Sequence, residues 1–273
     1  MNKKKFLIVN ADDMGRTVDI NKGIEQGYKR GIISSASLVA NSLAFNHALK
    51  IIKRNPGLKI GVHLNLHEYK PMLKTHFLIK LSKLNHLSLY LRLLLATANE
   101  IREIEKNFLF QINKIQKFGI RISHLDGHNH MHIHPRLNGV MLKILKKKRI
   151  NKIRLPDENI YKKSSITKKI KVLVLKLACI IFKKKIPNII TTANFHGLAD
   201  GGYLNVNALI KIIKNEIKEG TNELMCHVGL KNSDPPYNID YNWKTELNAI
   251  IKYKKKYLLK KFNIKIITFN QID

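Results

Sequence analysis

The chain has 273 residues, 44% of them hydrophobic, and a formal net charge of +31. That length and apolar content exclude a disordered chain and suit one large α/β domain. The two cysteines, Cys179 and Cys226, stand far apart and outside any CxxC pattern, which excludes a disulfide scaffold and a thiolate zinc site and fits a reducing, cytoplasmic setting.

The charge invites a nucleic acid or an anionic membrane as partner. The lysines are spread along the whole chain, in a composition rich in Lys, Ile and Asn. No helix-turn-helix, RRM or zinc-finger pattern accompanies them. Codon bias of an AT-rich genome is the simpler source, and no specific nucleic-acid partner is expected.

Met1 to Lys5 followed by Phe6-Leu7-Ile8-Val9 imitates a signal peptide, but the apolar run stops at Asn10, too early for its hydrophobic region. It reads as a strand over 6–10, buried on both faces. Asp12 and Asp13 stand where that strand ends. Helical spacing over 19–30 closes at Gly31, a strand covers 34–39, and a helix over 46–54 ends at Asn55-Pro56-Gly57. A third strand over 59–66 carries Gly61, His63 and Asn65 on one face. The pattern relaxes over 68–98, which reads as an insertion. An amphipathic helix follows over 100–118, with Ile101, Ile104, Phe108, Ile112 and Ile115 on one stripe.

His124-Leu125-Asp126-Gly127-His128-Asn129-His130-Met131-His132-Ile133-His134-Pro135 comes next. Gly127 and Pro135 argue against one continuous strand, so a short strand over 120–126 is expected to turn at Gly127, with the histidines at its mouth. Imidazoles beside a carboxylate in a short His-rich tract suggest metal binding. Further on, the pattern gives a helix over 137–148, a short strand over 152–156 with Arg154 near its end, and a basic, apolar helix over 164–185. A strand over 189–195 leads to His196, a helix covers 207–218, and a strand over 221–227 ends at His227. A helix over 242–261 and a last strand over 264–269 complete the chain. The longest apolar candidate, 172–182, is interrupted by Lys176 and falls short of the roughly 18 to 20 residues of a membrane span. Its basic flanks suit peripheral contact with an anionic membrane.

Strands alternating with helices predict parallel βαβ units in a single domain over 1–273. Asp12, Asp13, His63, Asp126, His128, Arg154 and His227 all fall at or near C-terminal strand ends. In a (β/α) barrel those ends converge on one face, so distant residues become neighbours there.

Asn10-Ala11-Asp12-Asp13-Met14-Gly15, Gly61-Val62-His63-Leu64, His124-Leu125-Asp126-Gly127-His128, Arg154-Leu155-Pro156 and Glu223-Leu224-Met225-Cys226-His227 occur in this order. Together they make the chain resemble the YdjC-like family of carbohydrate deacetylases, which includes chitooligosaccharide and hopanoid-associated sugar deacetylases. The resemblance implies a distorted (β/α) TIM-like barrel with its active site at the C-terminal strand ends. It implies removal of an N-acetyl group from an amino sugar, free or lipid-linked. By matching motifs it implies Asp13, His63 and His128 as ligands of one divalent metal, Mg2+ or Zn2+, Asp12 as general base, His227 as acid and Arg154 as the residue that orients Asp12. Val228 stands where family members commonly have Pro, and Met14 where Phe is common.

Beside that resemblance, the chemistry is coherent. A metal held by two imidazoles and a carboxylate keeps positions open for water and substrate. Adjacent carboxylates can divide metal binding and proton transfer between them. His124, Asp126, His130 and His132 suit the task of fixing ligand tautomers from behind. His47, His67, His76 and His86 are expected to be surface or lining residues, and His196 to lie near the pocket. A homo-oligomer is compatible with this sequence. The alternative from another class is a catalytically silent basic protein that binds anionic lipid or nucleic acid.

Overall fold

The structure, a computed structural model, describes residues 4–158, 166–186, 188–232 and 240–272. Ser164 and Ser165, in the helix expected over 164–185, lie outside the described residues. The centre is β1 (Lys5–Met14), fully buried from Leu7 onward. Its apolar run lets it sit between other strands with no polar face. On one edge it pairs with β2 (Ser35–Leu38), which pairs with β3 (Lys59–Leu64) and then β4 (Ile122–Gly127). On the other edge it pairs with β6 (Gly220–Cys226), which pairs with β5 (Asn194–His196). A short β7 (Ile264–Ile266) joins the N-terminal half of β1. Every pair is parallel.

The strand expected over 152–156 is present only as two single parallel bridges, Leu125 to Ile153 and Lys152 to Ile190. They carry the curl of the sheet past β4 towards the segment that becomes β5. Pro156 has no N–H to extend the ladder. The result is a curled parallel sheet with helices packed around it, an α/β architecture as expected.

β1 runs four residues further than its apolar pattern suggests, because pairing with β2 resumes beyond the carboxylates. Asn10 and Ala11 pair with Ser35 and Ala36, and Met14 pairs with Leu38, so β1 carries one extra residue between them. Asp13 absorbs it at φ 62°. In a regular strand Asp12 and Asp13 would point to opposite faces. The bulge re-aims them, a usual role of bulges beside active sites, and Asp tolerates the left-handed region better than most residues.

The helices follow their signals. Thr17 caps α1 (Val18–Arg30) by accepting from the Ile20 amide. After α2 (Phe45–Arg54), the 68–98 region forms α3 (His76–Leu81) and α4 (His86–Leu94). Thr97 and Glu100 form a capping box on α5 (Ala98–Lys117), whose stripe of Ile104, Phe108, Ile112 and Ile115 is buried. α6 (Asn138–Lys148) and α7 (Ile166–Lys185) follow the His-rich segment.

Three expected elements end differently. The helix over 207–218 becomes α8 (Val206–Lys211) and a wider turn at Ile212–Glu216, because the Asn222 side chain binds both the N–H and the C=O of Lys218. The helix over 242–261 is two, α9 (Trp243–Lys252) and α10 (Lys255–Phe262), split at an extended Tyr253. Lys252, Lys255 and Lys256 would crowd like charges at i, i+3 and i+4 in one continuous helix. The last strand stops at Ile266, and the chain turns so that Phe269 stacks on His124 with ring centroids 3.8 Å apart.

Gly61 is where this packing admits no side chain: a Cβ there would lie 2.3 Å from the His124 ring. Gly61→Ala is expected to lose about 1–3 kcal/mol through overpacking. At Gly139 in α6 an added Cβ would meet nothing within 4 Å, so Gly139→Ala should gain about 0.5–1 kcal/mol of helix stability. Urea denaturation of both variants checks the pair of opposite signs.

Candidate active site

The C-terminal ends of β1, β3, β4 and β6 deliver Asp12, Asp13, His63, His128 and His227 to one pocket of about 50 Å3. All five are buried. Asn129, His130 and Tyr241 complete its polar lining.

Two sides of the His63 ring do different work. Nδ1 lies 2.9 Å from Asp126 Oδ1, and a carboxylate only accepts, so Nδ1 carries the proton. Nε2 is thereby left as a lone pair facing Asp13 Oδ1 at 3.6 Å. His128 Nδ1 is 3.2 Å from the same Asp13 oxygen, and His128 Nε2 is 3.2 Å from Glu68 Oε1. Neither Asp13 Oδ1 nor His128 Nε2 has a hydrogen bond of good geometry, although both are buried. Donor atoms of Asp13, His63 and His128 all lie within 4.8 Å of one another. Buried lone pairs that converge without bonding each other fit a metal ion: two imidazoles and a carboxylate, with a second carboxylate behind His63 as such sites usually have.

The electrostatics agree. Burial alone would lower His128, but Asp13 and Glu68 lift it to about 10. Burial alone would raise Asp13, but His128, Arg16 and His63 hold it well below the usual carboxylate range. Glu68 is likewise pulled down, to about 2, against its burial, by His128 and Arg16. His63 is raised despite burial, chiefly by Asp126. Five carboxylates, those of Asp12, Asp13, Glu68, Asp126 and Glu223, thus meet two guanidiniums, those of Arg16 and Arg154. The surplus negative charge is answered by protons on the imidazoles or by a bound cation.

Asp12 has a separate environment. Arg154 donates to it twice, Nη1 to Oδ2 at 2.6 Å and Nη2 to Oδ1 at 2.7 Å. Asn10 Nδ2 adds a third donor on Oδ1 at 2.9 Å. The fully buried Arg154 also reaches Glu223 Oε1 through Nε at 2.6 Å and Asp126 Oδ2 through Nη1 at 3.0 Å. The burial of Glu223 pushes its carboxyl up to about 7, against the pull of Arg154.

The remaining histidines sort by depth. His124 lies beneath the pocket, not in it. Its Nε2 meets Ser37 Oγ at 3.2 Å and its Nδ1 meets Ser123 Oγ at 2.9 Å. Burial pushes it down to about 3, so it is neutral. The Ser37 hydroxyl donates to Asp126 Oδ2 at 2.6 Å. His132 donates from Nε2 to the Arg154 carbonyl at 2.9 Å and so anchors that backbone. His130 lines the pocket, edge-on to Phe195 at 6.1 Å. His227 sits between Tyr241 and Trp243, ring centroids 4.9 and 5.9 Å away, and its backbone N–H binds Glu246. Burial lowers its pKa, while Asp12 and Asp13 pull the other way.

Glu68 and His67 add to the residues named from the sequence. They stand at the site, as a second group of possible ligands with His128. His67 is 2% exposed and its ring is 5.0 Å from His128. Glu68, at φ 67°, is fixed by Arg16 Nη1 at 2.7 Å. The available signal was its position four residues beyond the end of β3. His196 lies away from the pocket, hydrogen-bonded to Asn222 at 3.3 Å.

Asp126 carries the link between these two environments. In Asp126→Asn, an amide NH2 placed at Oδ2 would confront the Ser37 hydroxyl and Arg154 Nη1. We expect a loss of about 3–5 kcal/mol, as for one partner removed from a buried ion pair, read as a fall in the urea midpoint. Ser37→Ala should cost far less.

Comparison with known proteins places this geometry among relatives. The family profile described as YdjC-like protein matches residues 6–261. A carbohydrate deacetylase of Brevibacillus brevis is 25% identical, over 97% of this chain and 99% of that protein. A carbohydrate deacetylase of Clostridium beijerinckii is 27% identical, over 97% of this chain and 99% of that protein. The crystal structure of an Enterococcus faecalis protein named for cellobiose-phosphate cleavage superposes with a TM-score of 0.72 at 22% identity, over 98% of both chains, a likeness of fold alone. With a profile match across nearly its whole length, four of the five motifs lining one pocket and the fifth reaching it through Arg154 on Asp12, the chain belongs to the YdjC-like protein family.

Proposed function

We propose that this protein is a metal-dependent hydrolase that removes the N-acetyl group from an N-acetylated amino sugar, built as one domain on a distorted (β/α) barrel. The observation that carries this reading is the meeting of Asp13, His63 and His128 beside an Asp12 clamped by Arg154. The full-length relatives named carbohydrate deacetylase support the substrate class. Asp13, His63 and His128 would hold a divalent ion, zinc or magnesium by their donor set, and that ion supplies a Lewis acid and an acidified water.

The chain's own residues supply the proton traffic. Oδ1 of Asp12 accepts from Arg154 and Asn10, while Oδ2 accepts from Arg154 once, which leaves one of its lone pairs for the proton of the attacking water. The bidentate clamp prevents Asp12 from rotating away as it takes that proton. His227 lines the same pocket, and its buried Nδ1 has no hydrogen bond. Once protonated, it can give that proton to the departing amine. The reading of a silent basic protein gives no reason for a complete ligand set beside a clamped carboxylate.

His63→Ala and His128→Ala are expected to fold, to lose bound metal and to lose acetate release from N-acetylhexosamine glycans. Metal analysis of the purified variants is the check, and wild-type occupancy in both would refute the ligand set. Proton release gives the sign of the pH dependence. His128 is held near 10 without metal, so it is protonated at pH 7 and must give up its proton to bind. Affinity should therefore rise with pH up to that value, with at least about one proton released per ion at pH 7, from His128 and in part from the raised His63, measured by calorimetry in buffers of different ionisation enthalpy.

Asp12→Asn should keep the metal and lose at least about 10²-fold in turnover, the usual cost of removing a general base. If it lost metal while Asp13→Asn kept it, the two roles would be exchanged.

A further inference from the structure

Beside the catalytic pocket of about 50 Å3 lies a cavity of about 540 Å3. Asn129 and His130 line both, so one turn of backbone separates them. Leu87 and Leu91 of α4 form one wall, Ile170 and Val174 of α7 the other, and Met131 and Ile133 lie between. Among the described residues, no Asp, Glu, Lys or Arg lines it. His86, Tyr90, Asn129, His130 and His134 also line it, but aliphatic side chains make up both walls, a surface that suits a hydrocarbon better than a run of sugar hydroxyls.

The outer surfaces of the same helices are also apolar. Val172, Leu175, Cys179 and Phe182 bury the inner face of α7. Ile170, Leu173, Val174, Leu177, Ile180 and Ile181, at helical spacing on the other side, are 38–56% exposed. On α4, Leu87, Leu91 and Leu94 are 65%, 54% and 46% exposed. A helix at the surface of a soluble domain normally turns polar residues outward, and contiguous exposed apolar area marks a contact. Lys184 and Lys185 are exposed at the end of α7 and Lys183 pairs there with Asp157, so the apolar stripe has a basic border. No described helix is long and apolar enough to cross a membrane. An apolar stripe with a basic border suits the interface of an anionic bilayer instead.

We propose that the groove between α4 and α7 binds the hydrocarbon chain of an amphiphilic, lipid-linked N-acetylamino sugar, with the outer faces of both helices resting at the lipid interface. The sugar headgroup rests on the deacetylase reading above; the groove does not. Asn129 and His130 line both cavities, so a chain attached to a headgroup at the pocket would cross these two residues to reach the groove. The volume falls within the roughly 300–1,000 Å3 of ligand cavities, and the opening to the surface lets a chain enter from the bilayer.

The test compares methyl and octyl glycosides of N-acetylglucosamine, the octyl one below its micellar concentration. Wild type should show a KM for acetate release at least about ten-fold lower for the octyl glycoside, since each buried methylene contributes about 0.8 kcal/mol. Leu91→Gln with Val174→Gln should raise the octyl KM to the methyl value and leave kcat/KM for the methyl glycoside unchanged. Equal KM values in wild type, or an octyl preference that survives in the variant, would overturn the proposal. Should neither glycoside release acetate, the deacetylase reading fails on its own, and the groove is judged by binding. The octyl glycoside must then displace a dodecyl-chain fluorophore from wild type, and the variant must not retain that fluorophore; no displacement rejects the groove. Light scattering supplies the last arm. A wild-type dimer that the double variant splits, with no effect of chain length, would make this face a contact between two copies and end the proposal.

Discussion

One buried guanidinium holds the site together. Arg154 is fully buried and binds Asp12 from β1, Asp126 from β4 and Glu223 from β6. A charge taken out of water must be paired or it costs several kcal/mol. The three strands therefore cannot shift in register without exposing that cost. The same contacts fix Asp12 with both oxygens engaged, and through Asp126 they fix the tautomer of His63. His132 completes the anchor by holding the Arg154 carbonyl. Stability and the geometry of the pocket rest here on the same set of bonds, and this explains why so polar an interior persists within the sheet.

The second constraint is local. Successive strand residues face opposite ways, yet Asp12 and Asp13 both line the pocket. A one-residue bulge with Asp13 in the left-handed region resolves the conflict. Left-handed geometry recurs at Glu68, Asn129 and His130, all at the site. Backbone strain of this kind persists where surrounding contacts over-determine it. The Arg16 amide donates to the Asp13 carbonyl at 3.0 Å, and its guanidinium binds Glu68 at 2.7 Å. Asn129 meets His67 at 3.0 Å. The pocket is thus held in shape before any ligand arrives.

The surface divides into two kinds. Its lysines are dispersed, and dispersed charge alone sets solubility and general attraction to anions. The α4 and α7 faces are different, because apolar residues are contiguous there and adjoin the pocket through Asn129 and His130. Contiguity, which a composition count does not register, is what separates a contact face from scattered exposed side chains.

The α/β architecture and most of the residues that meet at the pocket were legible in the order of residues. A strand buried in a parallel sheet must be continuously apolar, so runs such as 6–10 announce themselves, and the first polar residues after them mark the strand ends where a site can form. Asp12, Asp13, His63, His128 and His227 stood out for that reason. Which partner each of them faces was decided only in the folded chain. His124 and His63 look equivalent in sequence, but one stacks on Phe269 beneath the sheet and the other faces Asp13. Tyr241 carries no local signal, and the places of Glu68, His67 and Glu223 are set by partners distant in sequence. The pairing of Asp12 with Arg154 spans 142 positions. Such contacts are set by strand register, a bulge and loop paths, which depend on the whole sheet and leave no periodicity along the chain.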